Sequence, residues 1–238
     1  MWVTYAERMS GPDLSSVAAL FADRSRAAML EALMDGGDHP AGELARVARV
    51  RPQTASAHLS RLVDGGIVTV ERVGRERRFS LAGPAVAEAV EALMALAPEA
   101  RPRGLREVST RAALRHARMC YDHLAGRLGV RVTAGLRREH LLTGAELRLT
   151  GRGQEAMEGF GIDVAGLRRN RRPLTCSCLD GTERRPHLAG ALGAALAAGL
   201  IERRWIERRP DSRALRITPA GERALADRGW LPDQVAIE

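Results

Sequence analysis

The sequence predicts a mainly α fold carrying small β-hairpins (α+β), divided into domains over residues 1–98 and 105–238. Three observations predict it. Between Pro52 and Leu81 a run with helical apolar spacing passes through Gly65-Gly66 into two alternating stretches. From Pro98 to Gly104 the run PEARPRG gathers two prolines and a glycine among charges, as a linker does. Beyond the linker the chain repeats itself. HLAGRLG at His123 to Gly129 returns as HLAGALG at His187 to Gly193, and LRLTGRGQEAMEGFG from Leu147 returns as LRITPAGERALADRG from Leu215.

Taken in order, Met1 to Pro12 ends in Ser-Gly-Pro and reads as an arm without fixed structure. Asp13 to Phe21 is a short first helix with Val17, Leu20 and Phe21 along its apolar edge. Asp23 or Ser25 caps the second helix, whose Ala28, Met29, Leu33 and Met34 face inward before Gly36-Gly37 ends it. His39-Pro40 bridges to a third helix over Gly42 to Ala48. Pro52 suits the first position of the fourth, because its missing N–H has no helical partner to lose. There Ala55, Leu59, Leu62 and Val63 fall at i, i+4, i+7 and i+8, which buries one face.

After the Gly65-Gly66 stop, Val68, Val70 and Arg72 alternate with Thr69 and Glu71, and Arg77, Phe79 and Leu81 alternate with Arg78 and Ser80. Gly74 marks the tip of this half-buried hairpin. Pro84 opens a fifth helix with Val86, Val90, Leu93, Met94 and Ala97 at helical spacing. Each C-terminal copy then reads as a long small-residue helix, a hairpin, and a short helix opening after Thr150 or Thr218. The second hairpin, Trp205 to Ile217, turns at Pro210-Asp211-Ser212. The C-terminal domain is therefore expected to be two winged-helix-like helix-hairpin-helix repeats related by a pseudo-twofold.

Three helices followed by a hairpin make a helix-turn-helix with a wing, an arrangement that reads duplex DNA. Off the buried face of the fourth helix stand Gln53, Thr54, Ser56, Ser60 and Arg61, short or forked donors suited to base edges and phosphates. With Arg51 and His58 beside them, and Arg72, Arg75 and Arg77 crowding the wing, these are the expected DNA-binding residues. The chain carries a formal charge of +8, and all 37 of its basic residues are arginine. That sign favours a polyanion, while 3% aromatics leaves few rings to stack on unpaired bases, so double-stranded DNA is the expected partner. Without a long apolar run or an export signal, no membrane association is expected and the location is expected to be cytoplasmic. A protein-interaction module with a structural winged helix competes with this reading, as does a thiol- or metal-handling sensor whose DNA binding is secondary. The outward face of Pro52 to Leu62 separates DNA reading from the first of these, since a partner-binding face would be apolar.

Three cysteines, an odd count with no export signal, do not suggest a disulfide framework. The duplication nevertheless repeats a thiol, a carboxylate and an imidazole: Cys120-Tyr121-Asp122-His123, and Cys178-Leu179-Asp180 with His187 after a longer insert. Cys120, His123, Cys178 and His187 together would form a tetrahedral set for a zinc-like metal, or a redox switch. Asp122 and Asp180 would orient the imidazoles, leaving Cys176 as a spare thiol. The plainer alternative makes Cys120 a small buried apolar side chain, each aspartate a helix cap and each histidine a helix-start residue. GRGQEAMEG at Gly151 lacks the lysine and the Ser or Thr of a phosphate loop, so a binding protein is expected rather than an enzyme. Arg203, Arg204, Arg208 and Arg209 offer a second phosphate-contacting face or a merely solvated one.

The N-terminal two-fifths of the chain resembles the ArsR-type (ArsR/SmtB-like) winged-helix regulators. The resemblance lies in ALFADRSRAAMLEAL at Ala19 to Leu33, GELARVARVRPQTASAHLSRLVDGGIV at Gly42 to Val68, and VGRERRFSL at Val73 to Leu81. It implies a homodimer joined through the first and fifth helices, bound to inverted repeats and released by an effector. The whole chain, including CLDGTERRPHLAG, is similar to a two-domain subgroup with this C-terminal extension, a resemblance that implies Trp where Gly181 stands. The family's familiar metal positions are missing. The third helix has no thiol over Glu43 to Ala48, and Pro84 to Leu96 has no histidine. The expected function is a homodimeric transcriptional repressor whose C-terminal domain senses an unknown effector or redox signal.

Overall fold

The computed structural model describes residues 12–98, 104–210 and 212–232. The expected arm before Pro12, the interior of the expected linker and Asp211 of the expected turn lie outside these. The chain forms two compact units that divide after Val86, with Met34–Gly36 counted in the second. The division thus falls before the Pro98–Gly104 linker expected from sequence. Its physical reason is the fifth helix, which buries Ala87, Val90, Glu91 and Ala95 and pairs Glu91 with Arg118 of the second unit.

The first unit comprises α1 (Leu14–Phe21), α2 (Arg24–Leu33), β1 (His39–Pro40), α3 (Ala41–Ala48), α4 (Pro52–Asp64), β2 (Val68–Val73) and β3 (Glu76–Leu81). Asp23 caps α2, accepting from the N–H groups of Ser25 at 2.9 Å and Arg26 at 3.0 Å. The Arg26 guanidinium closes the end of α1 by donating to the carbonyls of Ala19 (2.7 Å) and Leu20 (2.8 Å). Met29, Leu30, Leu33, Leu44, Leu59 and Leu62 form the core. Arg49, at φ 55, ends α3 by donating its N–H to the last carbonyls and so sets the short turn into α4. The buried face of α4 is Ala55, Leu59 and Leu62, with Val63 half-buried, and the helix stops at Gly65 before Gly66 turns at φ 68.

The wing has the expected register, Val68 opposite Leu81 and Val70 opposite Phe79, and it turns at Gly74 with φ 62. His39-Pro40, expected only to bridge, adds a third strand by pairing His39 with Phe79. In contrast, α1 buries none of its residues, and Leu14 and Val17 on it are exposed.

The second unit takes most of α5 (Pro84–Leu96), then α6 (Leu105–His116), β4 (Arg118–Cys120), β5 (His123–Ala125), α7 (Gly126–Arg138), β6 (Leu142–Thr143), β7 (Arg148–Leu149) and α8 (Gly151–Gly159). It continues with α9 (Val164–Arg168), β8 (Cys176–Leu179), β9 (Pro186–Ala189), α10 (Gly190–Glu202), β10 (Ile206–Arg208), β11 (Leu215–Ile217) and α11 (Pro219–Asp227). The helix-hairpin-helix order expected in each copy is present, as α7–β6–β7–α8 and α10–β10–β11–α11. An additional hairpin precedes each long helix, β4–β5 and β8–β9, where only helix caps were expected.

The copies pack by exchange: α7 lies against β9 of the other copy, and α10 against β5. Leu128, Val132 and Leu136 of α7 recur as Leu192, Leu196 and Leu200 of α10, all buried in one core. Equivalent details match in kind. Gly126 and Gly190 open the long helices at φ 76 and 82, a region that L side chains enter only with strain. Thr150 and Thr218 cap the short helices by accepting from Gly153 N–H (2.9 Å) and Gly221 N–H (3.0 Å).

Candidate functional site

On the first unit, Arg51, Gln53, Thr54, Ser56, Ser60 and Arg61 are all exposed, so the solvent face of α4 is polar and rich in hydrogen-bonding groups. The wing leaves Arg72, Arg75 and Arg77 exposed, with the Arg77 guanidinium 5.3 Å from the centre of the Phe79 ring. His58 differs from the other expected DNA-binding residues. It is half-buried against α2, with Nδ1 3.4 Å from Arg26 Nη1 and Nε2 3.8 Å from Asp23, which makes it a tie between α2 and α4. Arg78 is also occupied. It pairs with Asp38 at 3.0 Å and donates to the Asp38 carbonyl, and that carboxylate raises its pKa.

On the second unit, the two front hairpins bring the repeated thiols and imidazoles together. Cys120 faces His123 across β4–β5, Cys178 faces His187 across β8–β9, and strands β5 and β9 lie beside each other. All four side chains are buried, and their donor atoms lie within 4.8 Å of one another. The two Nε2 atoms approach to 3.1 Å, with the rings stacked at 5.1 Å between centroids. Neither histidine starts a helix, whereas Cys120 is buried and Asp180 accepts from the Gly126 N–H that opens α7, as the plainer alternative expected. The three-residue strands β4 and β5 place Cys and His as cross-strand neighbours instead. Cys176 is half-buried and outside the set of four, and burial raises its pKa.

Each histidine has a carboxylate behind it. Asp122 Oδ1 is 3.2 Å from His123 Nδ1, and Arg172 grips the same carboxylate with both of its terminal nitrogens. Asp180 Oδ2 is 4.0 Å from His187 Nδ1, which is buried and has no hydrogen-bond partner among the described residues. Asp180 is itself fixed: it accepts from the N–H groups of Gly126 (2.6 Å), Thr182 (2.9 Å) and Glu183 (2.8 Å) and pairs with Arg118 at 3.0 Å. Arg118, fully buried, also pairs with Glu91 of α5, and Glu91 accepts from the Gly181 N–H at 2.9 Å. At Gly181, where the resemblance implied Trp, a Cβ would lie 3.0 Å from Met94 Cβ, so α5 crowds the place that an aromatic would need.

The electrostatics follow from these contacts. Burial would lower the His123 pKa, but its hydrogen bonds to Asp122 and Cys120 outweigh it and push it up to about 9. Burial and the facing charge of His123 pull His187 down to about 3. The Cys120 thiol is pushed up by its contact with Cys178 and by burial. Burial would raise the Asp180 carboxyl, yet Arg118 and the three N–H donors hold it well below the usual range.

Sequence reasoning missed Glu91, Arg118 and Arg172. A charged residue reads as a surface residue unless its partner is known, and here the partners lie 27 and 50 residues away. Arg203, offered as a phosphate contact, instead donates to the Phe160 carbonyl at 2.6 Å and lies over the Phe160 ring.

A family described as a helix-turn-helix domain matches residues 21–71, the stretch holding α2, α3 and α4. The chain is also 41% identical over 216 residues to an uncharacterized HTH-type transcriptional regulator, YdfF, of Bacillus subtilis, covering 90% of this chain and 96% of that one. The chain belongs to the HTH-type transcriptional regulators. Two solved structures are similar to the N-terminal part of this HTH-type regulator. One is the homodimeric winged helix-turn-helix DNA-binding domain of a possible ArsR-family regulator from Mycobacterium bovis, at 25% identity, 37% of this chain, 89% of that one and TM-score 0.33. The other is the cadmium sensor CMTR of Mycobacterium tuberculosis, at 29% identity, 39% of this chain, 95% of that one and TM-score 0.32. The family assignment makes the first unit a DNA-binding domain of a transcriptional regulator. Among the described residues no helix is long and apolar enough to cross a membrane.

Proposed function

We propose that this HTH-type regulator is a cytoplasmic homodimeric repressor of the ArsR type, a binding protein rather than an enzyme. It reads an inverted-repeat operator through α4 and the wing, and its duplicated C-terminal unit responds to an effector. The observation that carries this reading is the exposed face of α4. Gln53, Thr54, Ser56, Ser60 and Arg61 offer donors and acceptors there, not the apolar surface that a protein partner would bury. Dimerisation is supported by apolar side chains that the chain leaves exposed, Leu14 and Val17 on α1, and Leu93 and Leu96 on α5.

Equilibrium binding to a captured operator fragment, measured across a salt series, tests the assignment of contacts. Affinity should fall steeply with salt, with each phosphate contact adding about 0.9 to the slope of log K against log salt. Removing Arg75 and Arg77 should lower both affinity and slope. Gln53→Ala should cost about 1–3 kcal/mol on the operator while leaving binding to random DNA unchanged, if it contacts a base edge. Arg61→Ala should weaken operator binding without shifting the unfolding midpoint. Variants that leave affinity, slope and specificity at wild-type values would move the DNA contact off this face.

A further inference from the structure

We propose that Cys120, His123, Cys178 and His187 form a closed four-coordinate site for one zinc-like divalent ion per chain, a site separate from the DNA-reading surface. Asp122 stands behind Nδ1 of His123, and Asp180 is the carboxylate nearest Nδ1 of His187. A histidine whose Nδ1–H faces a carboxylate presents the Nε2 lone pair on its other side. Both Nε2 atoms therefore lie 3.1 Å apart at one place, a separation that a bound cation accepting both lone pairs would satisfy.

Both thiols border the same place and supply the two further ligands that a tetrahedral shell needs. A tetrahedral ion with metal–nitrogen bonds of about 2.0–2.1 Å has an N···N edge of about 3.3–3.4 Å, and metal–sulfur bonds of about 2.3 Å give an S···S edge of about 3.8 Å. The observed nitrogen separation is near that edge, and no pair of the four donor atoms is more than 4.8 Å apart, so side-chain rotation suffices to close the shell. Two sulfurs, two nitrogens and no carboxylate oxygen select a borderline-to-soft ion over magnesium or calcium. Because the protein supplies all four ligands from buried side chains, no position remains open for a substrate, and the ion's role is structural or regulatory.

The surroundings fit the same assignment. Asp122 is clamped by Arg172, and Asp180 by Arg118 and three N–H groups, so the two orienting carboxylates are themselves held in place. His187 Nδ1, which has no hydrogen-bond partner among the described residues, lies 4.0 Å from the carboxylate that would accept its N–H once the ring is drawn into a metal shell.

The test uses the full-length protein under reducing conditions with no DNA present, so that it stands or falls independently of the repressor reading. Zinc content after purification, followed by Co(II) titration of the stripped protein, should show one ion per chain with the visible bands of tetrahedral Co(II) and thiolate charge transfer. X-ray absorption on the wild-type protein should give two sulfur and two nitrogen ligands, a readout that needs no variant to fold. Cys120→Ser and Cys178→Ser should each lose the thiolate signature, whereas Cys176→Ser keeps it. Asp122→Asn, which removes a positioning residue, should weaken zinc affinity by about 10- to 100-fold. A folded, reduced wild-type protein that takes up neither Zn(II) nor Co(II) would overturn the proposal. So would a shell of oxygen and nitrogen alone, or a Cys120–Cys178 disulfide whose reduction restores no metal binding.

Discussion

Arg118→Met should destabilise the C-terminal unit by about 3–5 kcal/mol, the cost of removing one partner from a buried ion network. Arg118 is fully buried and lies between two buried carboxylates, Glu91 of α5 and Asp180 at the start of the β8–β9 loop. Taking the guanidinium away leaves both charges in an apolar interior, where only protonation or distortion relieves them. Guanidinium unfolding followed by far-UV circular dichroism measures the loss, and a change below about 0.5 kcal/mol would show that the carboxylates reach solvent. Acid should act on the same group. Burial would raise the Glu91 carboxyl, but Arg118, Arg213 and the Gly181 N–H outweigh it and hold the pKa below the usual glutamate value. Its contribution is therefore complete above the ordinary range near pH 4.3 and is lost as pH falls through the depressed native value. Arg118→Met should flatten that part of the pH–stability curve.

The second large effect is expected at Phe160. Phe160→Ala should cost about 3–5 kcal/mol, since it deletes a buried ring and leaves a cavity that backbone cannot fill. The ring is 4% exposed and sits 5.6 Å from Trp205 and 5.3 Å from Trp230, with the Arg203 guanidinium 4.2 Å above it. It also lies where a Cβ at Gly199 would come within 2.8 Å, so α10 has been kept bare to receive it. Trp205 and Trp230 flank the deletion, and tryptophan fluorescence should therefore report the lowered unfolding midpoint together with an altered native spectrum. A loss below about 1 kcal/mol would mean that the aromatic cluster collapses to fill the space.

The DNA-reading unit was legible because its signals are local. Ala55, Leu59 and Leu62 carry a full helical period, Gly65-Gly66 a stop, and Val68 to Leu81 a strand period long enough to recognise, and each falls where expected. Repetition made the C-terminal unit legible at the level of its order, and the repeated thiol and imidazole were visible for the same reason. Their mechanism of convergence was not. The strands that pair Cys120 with His123 are three residues each, and they turn through Tyr121 at φ 62, a residue type that carries no turn signal. That the copies exchange faces, α7 onto β9 and α10 onto β5, is a property of packing between segments far apart in sequence. His58 shows what a helix-face pattern leaves out. It stands among the expected DNA contacts, and it also interacts with Asp23, just before α2, and with Arg26 of α2.

Genome-wide capture with the purified full-length protein tests the central claim, sequence-specific operator binding through α4, most directly. Sheared genomic DNA is bound at moderate salt, competed with random duplex, and sequenced. The account predicts a small set of enriched fragments sharing an inverted repeat, enriched by wild-type protein and lost with Arg61→Ala. Uniform recovery of all fragments by wild-type protein, or enrichment unchanged in Arg61→Ala, would contradict it.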